Sequence, residues 1–224
     1  MPVDLRLYAI IDPEHAGGRT LPELATLVAA GGATLVQLRD KRSDTRAMIE
    51  TARAVKAALV PFGVPLLIND RVDVALAAQA DGVHVGQTDM APQDARRLLG
   101  RNAIIGLSIN TEALADAAPI ELLDYVGIGG VYATTSKDQK KAPIGVDGLA
   151  RIVDVFRRRD PKFPSCAIAG INAANAGATI AAGAGGVSVI SALSLAPDPT
   201  AAAKTMRVVV DQALKARTRP KDDK

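Results

Sequence analysis

The feature that most constrains this chain is a repeated alternation: a short apolar run, a small polar turn, then an amphipathic stretch, from Leu7 almost to the C-terminus. The apolar runs are Leu7–Ile11, Thr34–Leu38, Leu66–Ile68, Gly82–Val85, Ile104–Leu107, Tyr125–Ile128, Cys166–Ala169 and Gly186–Val189. Between and after them lie helical patterns over Leu21–Ala30, Thr45–Leu59, Val72–Ala78, Pro92–Leu99, Thr111–Ala117, Gly148–Arg159, Ala173–Ala182 and Thr200–Leu214. Short continuous apolar runs separated by helices mark parallel strands buried on both faces. Eight such units in 224 residues predict one α/β domain, a single (β/α)8 TIM barrel. The competing layout, an open doubly wound sheet, usually has fewer strands and often a glycine-rich first turn. The first turn here, IIDPEHAGG, contains no G-x-G-x-x-G. The barrel is expected to span 1–216, with the charged segment 217–224 as a frayed tail.

Composition narrows the function classes. Aromatic residues make up 3% of the chain and Trp is absent, which argues against base-stacking platforms for single-stranded nucleic acid. A net charge of +3 suits an anionic small substrate better than it signals DNA binding. The lone Cys166 leaves no disulfide framework. Neither a signal peptide nor an apolar stretch approaching the roughly 20 residues of a membrane span is present. A cytoplasmic protein without nucleic-acid or membrane partners is expected, and a homo-oligomer is left open.

In such a barrel the active site lies at the C-terminal ends of the strands. After the second strand come Gln37, Arg39 and Lys41, whose alternation puts them on one face of an extended chain. They are either solvated or a clamp for phosphates, Arg by paired N–H bonds and Lys as a point charge. After the third and fourth strands come Asn69, Asp70 and Asp89. Asp70 and Asp89 could each cap the following helix. Taken together beside a basic clamp, they suggest a Mg2+ site, because Mg2+ commonly bridges one or two carboxylates to substrate phosphates. Ser108 ends the fifth strand. The long sixth loop carries Thr134, Ser136, Lys137, Lys140 and Lys141, and its length and glycines predict a lid over 130–144. His84 reads as a packed strand residue and His15 as a loop residue with no evident partner.

The last two loops, AGIN and VISA, occupy the places where barrels often bind phosphate, with Gly170 allowing close backbone approach and Ser191 offering a hydroxyl. One anion site would then be cationic and Mg2+-assisted, and the other a neutral cradle. Two phosphorylated substrates meeting in one barrel imply a transferase.

The segments VQLRDK, INDRVDVALAAQADGVHVGQTD, GLSINT, YVGIGGVYATTSK, AIAGI and GAGGVSVISAL, in this order from Leu7 to Leu193, resemble the thiamine phosphate synthase family. The resemblance implies the joining of hydroxymethylpyrimidine diphosphate to a thiazole phosphate with loss of pyrophosphate. It implies a dissociative substitution through a pyrimidine-stabilised carbocation. It implies that Gln37, Leu38, Arg39, Asp40, Lys41, Asn69, Ser108 and Lys137 contact the pyrimidine diphosphate, with Arg39, Lys41 and Lys137 supplying catalytic charge. It further implies one Mg2+ on Asp70 and Asp89, and a thiazole phosphate on Thr134, Thr135, Ser136, Gly170, Ile190 and Ser191. Gly130 and Ala133 stand where many relatives have Pro, Ala169 where many have Gly, and Asn110 where a His is common; no charge or metal ligand is lost. The rival readings are a thiazole tautomerase, which has little use for the clamp or the acid pair, and a non-catalytic thiamine-precursor binding protein.

Overall fold

Each of the eight apolar runs is a strand in the computed structural model, which describes residues 3–136 and 142–218. The strands are β1 (Leu7–Ile11), β2 (Leu35–Leu38), β3 (Leu66–Asn69), β4 (Gly82–Val85), β5 (Ile104–Ile109), β6 (Tyr125–Gly129), β7 (Ser165–Ile168) and β8 (Gly186–Val189). They pair in sequence order, all parallel, and β8 closes on β1 through Tyr8 opposite Ser188. The helices are α1 (Leu21–Ala30), α2 (Thr45–Leu59), α3 (Val72–Ala78), α4 (Pro92–Leu99), α5 (Glu112–Ala117), α6 (Gly145–Arg159), α7 (Ala176–Ala181), the one-turn α8 (Ser191–Ser194) and α9 (Pro199–Thr218). The expected (β/α)8 barrel is therefore the observed fold.

The two-residue period of each strand sorts its side chains between two cores. Leu7, Ala9, Ile11, Val36, Leu38, Leu66 and Ile68 point outward and pack with the helices. Tyr8, Leu35, Leu67, Tyr125 and Cys166 point inward and fill the lower barrel. The Tyr8 and Tyr125 rings meet edge to face with centroids 5.8 Å apart. They fit because a neighbouring inward position has no side chain: a Cβ on Gly106 would lie 2.1 Å from the Tyr125 ring. The lower barrel interior is thus filled by side chains, and among the described residues its inner space opens near the strand C-termini.

Boundaries shift where local hydrogen bonds override the apolar pattern. Helix α7 begins at Ala176 rather than Ala173, because the Asn175 and Asn172 side chains accept from the Asn172 and Ala174 N–H groups at 2.9 Å and 2.9 Å and hold a turn there. Strand β7 ends at Ile168 because Ala169 has φ 85, outside the extended region. Helix α6 starts at Gly145, three residues earlier than its apolar periodicity indicates. Helix α8 is too short for a periodic signal. Gly106→Ala should cost about 3 kcal/mol of stability, at the upper end for an overpacked core. Urea unfolding of the purified variant checks this; an unchanged midpoint would mean the Tyr125 ring has space to move.

Candidate active site

Strand β2 delivers Gln37 and Arg39 to the inner face, where they line a cavity of about 60 Å3 with Tyr8, Asn69, His84 and Ser108. Leu38, of opposite parity, faces outward into the main apolar cluster and does not line this space. The Asp40 carboxylate turns away to accept from the N–H groups of Arg42 and Ser43, both at 3.0 Å. Against the upward pull of burial, the Ser43 hydroxyl and these N–H groups hold Asp40 below the usual carboxylate range. The basic pair is held by acids: Arg39 donates to Asp12 and Lys41 to Asp70. Asp12, fully buried just past β1, also accepts from the Glu14 N–H at 2.8 Å. His15 is not isolated, its Nδ1 standing 3.9 Å from the same Asp12 carboxylate.

Asp70 and Asp89 come together, and neither caps a helix. The residues preceding α3 and α4 are Arg71 and Ala91, and neither helix has a side-chain cap. Asp70 has φ 61, a left-handed conformation that most residues with a Cβ avoid and that Asp and Asn adopt most readily. Its N–H is tied to the His84 carbonyl at 2.8 Å. Asp89 accepts from the Gly86 N–H at 2.8 Å. Burial, then a hydrogen bond donated by the protonated Asp89 carboxyl to Asp70, and Asp70's charge push Asp89 above its usual range, while the Gly86 N–H and Lys41 pull it down. Two carboxylates in contact resist simultaneous ionisation, and a cation between them removes that conflict. No group of three metal-ligating acids, His or Cys forms among the described residues. The pair suits a hard cation that completes its shell with substrate oxygens and water, as Mg2+ does.

Beneath these groups runs a hydrogen-bonded relay that the apolar pattern does not reveal. Gln37 Nε2 donates to the Tyr8 hydroxyl. Tyr8 meets the Tyr125 hydroxyl at 2.9 Å, Tyr125 meets His84 Nδ1 at 2.8 Å, and His84 Nε2 meets Ser108 Oγ at 2.9 Å. Burial raises the pKa of both phenols, so both remain protonated. With the Gln37 amide donating at one end, the run of donors puts the His84 proton on Nε2 and frees the Ser108 hydroxyl proton to face the cavity. The signal for the tyrosines in the sequence is inward parity: Tyr8 lies two residues before Ile10 on β1, and Tyr125 two before Gly127 on β6, both of which line the cavity. The signal for Asp12 is its place as the first polar residue past β1. Burial pushes the nearby Cys166 thiol up to about 12, keeping it protonated and a poor nucleophile.

The second cavity is larger, about 470 Å3, and lies over β6 to β8. Thr134, Thr135, Ser136, Gly170, Ile190 and Ser191 all line it. Ser136 Oγ donates to Ser191 Oγ at 3.1 Å, and the Ser136 N–H to Thr134 Oγ1 at 3.2 Å. Gly170 has φ 65, and a Cβ there would sit 2.4 Å from the Ala133 carbonyl oxygen, so the β6 and β7 loops touch only because it is Gly. The feet of the sixth loop are joined, Ile144 N–H to Gly130 oxygen at 2.9 Å and Gly145 N–H to Val131 oxygen at 3.1 Å. Lys137, Lys140 and Lys141, in the middle of the expected lid over 130–144, lie outside the described residues. Ile168, Ser188 and Ile190 line both cavities, so the two adjoin across a shared wall.

A sequence model of the family described as thiamine monophosphate synthase matches residues 7–193. A thiamine-phosphate synthase from Agrobacterium fabrum is 48% identical over 215 residues, covering 96% of this chain and 98% of that protein. One from Azorhizobium caulinodans is 44% identical, covering 94% and 97%. The solved structure of a thiamine phosphate pyrophosphorylase from Pyrococcus furiosus superposes with a TM-score of 0.82 at 34% identity, over 95% of this chain and 98% of that one. The chain belongs to the thiamine monophosphate synthase family and is an enzyme of thiamine biosynthesis, a transferase.

Proposed function

We propose that the barrel joins a hydroxymethylpyrimidine diphosphate to a thiazole phosphate and releases pyrophosphate, with the first substrate in the β2–β5 cavity and the second over β6–β8. The observation that carries this reading is that the two cavities adjoin at Ile168, Ser188 and Ile190, because the two rings must meet for a bond to form. Gln37, Asn69 and Ser108 hold the pyrimidine, and the relay through Tyr8, Tyr125 and His84 fixes the outer two of these three. Arg39 and Lys41 lie on the diphosphate side, with Lys137 supplied by the sixth loop. Thr134, Thr135, Ser136, Gly170 and Ser191 receive the thiazole phosphate without a cation. Two anions are thereby told apart by charge: the diphosphate goes to the basic side and the monophosphate to the neutral one.

Asp70 and Asp89 would hold Mg2+. That ion supplies positive charge to the departing diphosphate. The protein's own part is mostly positional. A thiazole nitrogen carries no proton to lose, so no general base is needed. Ile168 and Ile190 border the space where the cation would form and keep it apolar, which protects it from water. Asp12 orients Arg39, and Asp70 orients Lys41, before substrate arrives. The substrates are small and charged, which suits a cytoplasmic enzyme, and no helix among the described residues is long and apolar enough to cross a membrane.

Two variants test the division of labour. Asp70→Asn keeps a residue that tolerates the left-handed conformation and removes only the charge. It should lower turnover roughly a hundredfold or more, since even outer-sphere partners of a metal cost about 10–100-fold. Its Tm should stay unchanged; full Mg2+-dependent activity would refute the metal assignment. Ser191→Ala should raise the KM for the thiazole phosphate about tenfold, in line with about 1.5–3 kcal/mol for hydrogen bonds to charged groups. Steady-state kinetics with each substrate varied in turn would expose the opposite outcome, a selective effect on the diphosphate.

A further inference from the structure

Ser188 sits on the inner face of β8, in register with Tyr8 on one side and Ile168 on the other. It is 2% exposed, and its hydroxyl has no hydrogen-bond partner among the described residues. A buried hydroxyl left unpaired destabilises the fold, whereas Ala at the same place would carry no such penalty. The neighbouring hydroxyl of Tyr8 is already committed to Gln37 and Tyr125. Of the three side chains that line both cavities, Ile168, Ser188 and Ile190, only Ser188 is polar.

We propose that Ser188 is a substrate-contacting residue: its hydroxyl donates to a ring nitrogen of the pyrimidine from the β8 side, opposite the wall formed by Gln37, Asn69 and Ser108. This rests on the two-substrate reading above. Chemistry chooses between the two rings. The thiazole nitrogen must keep its lone pair free to attack, and a hydroxyl donating to it would block the reaction. A pyrimidine has ring nitrogens away from the reacting methylene, and a donor there takes nothing needed for bond formation. A donor on the ring does withdraw electron density that would stabilise the carbocation. The contact therefore favours ground-state binding and, if anything, opposes the chemical step, so its loss raises KM without lowering kcat. It is a specificity contact, and it leaves the empty barrel less stable than Ala would.

The test is Ser188→Ala, with Ser188→Cys as a weaker donor of similar size. In the Ala variant the KM for the pyrimidine diphosphate should rise about 2- to 12-fold, the range of one neutral hydrogen bond. The KM for the thiazole phosphate should not change, kcat should not fall, and the Cys variant should lie between. Without substrate, the Tm of the Ala variant should equal or exceed that of the parent. The increase in Tm on adding the pyrimidine diphosphate alone should be smaller than for the parent. An unchanged pyrimidine KM, as for a hydroxyl that merely holds a water, would overturn the proposal. So would a selective rise in the thiazole KM, or an Ala variant that folds poorly. If the parent enzyme itself releases no pyrophosphate from the two substrates, the two-substrate reading fails instead.

Discussion

Two phenol rings buried in the middle of a parallel barrel set the terms for everything above them. A barrel of this size needs bulk at its centre, and Tyr8 and Tyr125 provide it with an edge-to-face contact made possible by Gly106. Their hydroxyls, however, cannot reach water. Left unpaired, each would cost about 1–3 kcal/mol. They are satisfied by one another, by Gln37 on β2 and by His84 on β4, and His84 in turn reaches Ser108 on β5. The same bonds that allow the phenols to be buried fix the rotamers of two side chains at the cavity wall. Core and site are therefore one structure, and a change in the tyrosines is felt first at Gln37 and Ser108.

Strand order explains the division into two pockets. The basic and acidic groups come from β1 to β4 and the turns after them, which are consecutive around the barrel; the hydroxyls and the glycine come from β6 to β8. Left-handed backbone occurs in both halves of the site: Asp70 at φ 61 on one side, Ala169 at φ 85 and Gly170 at φ 65 on the other. Gly170 adopts that conformation freely. Asp70 adopts it at a small cost, and that cost goes with a carboxylate that serves no helix and faces Asp89. The fold tolerates a costly backbone and a repulsive acid pair at one point, which is the pattern of a site that a ligand completes.

Much of this was legible in the sequence, for identifiable reasons. Continuous apolar runs and helical periodicity are set by burial, so the strand order and most helix bounds follow from them. Polar residues just past a strand stand out against that background, which is why Gln37, Asn69, Asp70, Asp89 and Ser108 could be picked. The relay could not be seen the same way. Tyr8 and Tyr125 are apolar in any periodicity count, and their hydroxyls matter only because closure brings β1 and β6 across from each other. His84 was rightly read as a packed strand residue, but packing against two hydroxyls is a role that only three dimensions show. Leu38 and Asp40, taken with their neighbours, turn out to face the helices and the local turn. Capping, the plain alternative for Asp70 and Asp89, is ruled out by backbone geometry that no residue pattern encodes.

The central claim is that two phosphorylated substrates meet across one shared wall with an acid pair on the leaving-group side. Pyrophosphate release by the purified protein, measured with each substrate alone, with both, and with and without Mg2+, tests it most directly. Release that needs both substrates and Mg2+ is the predicted result. Pyrophosphate from the pyrimidine diphosphate alone at the same rate, or full release in the presence of a chelator, would contradict it.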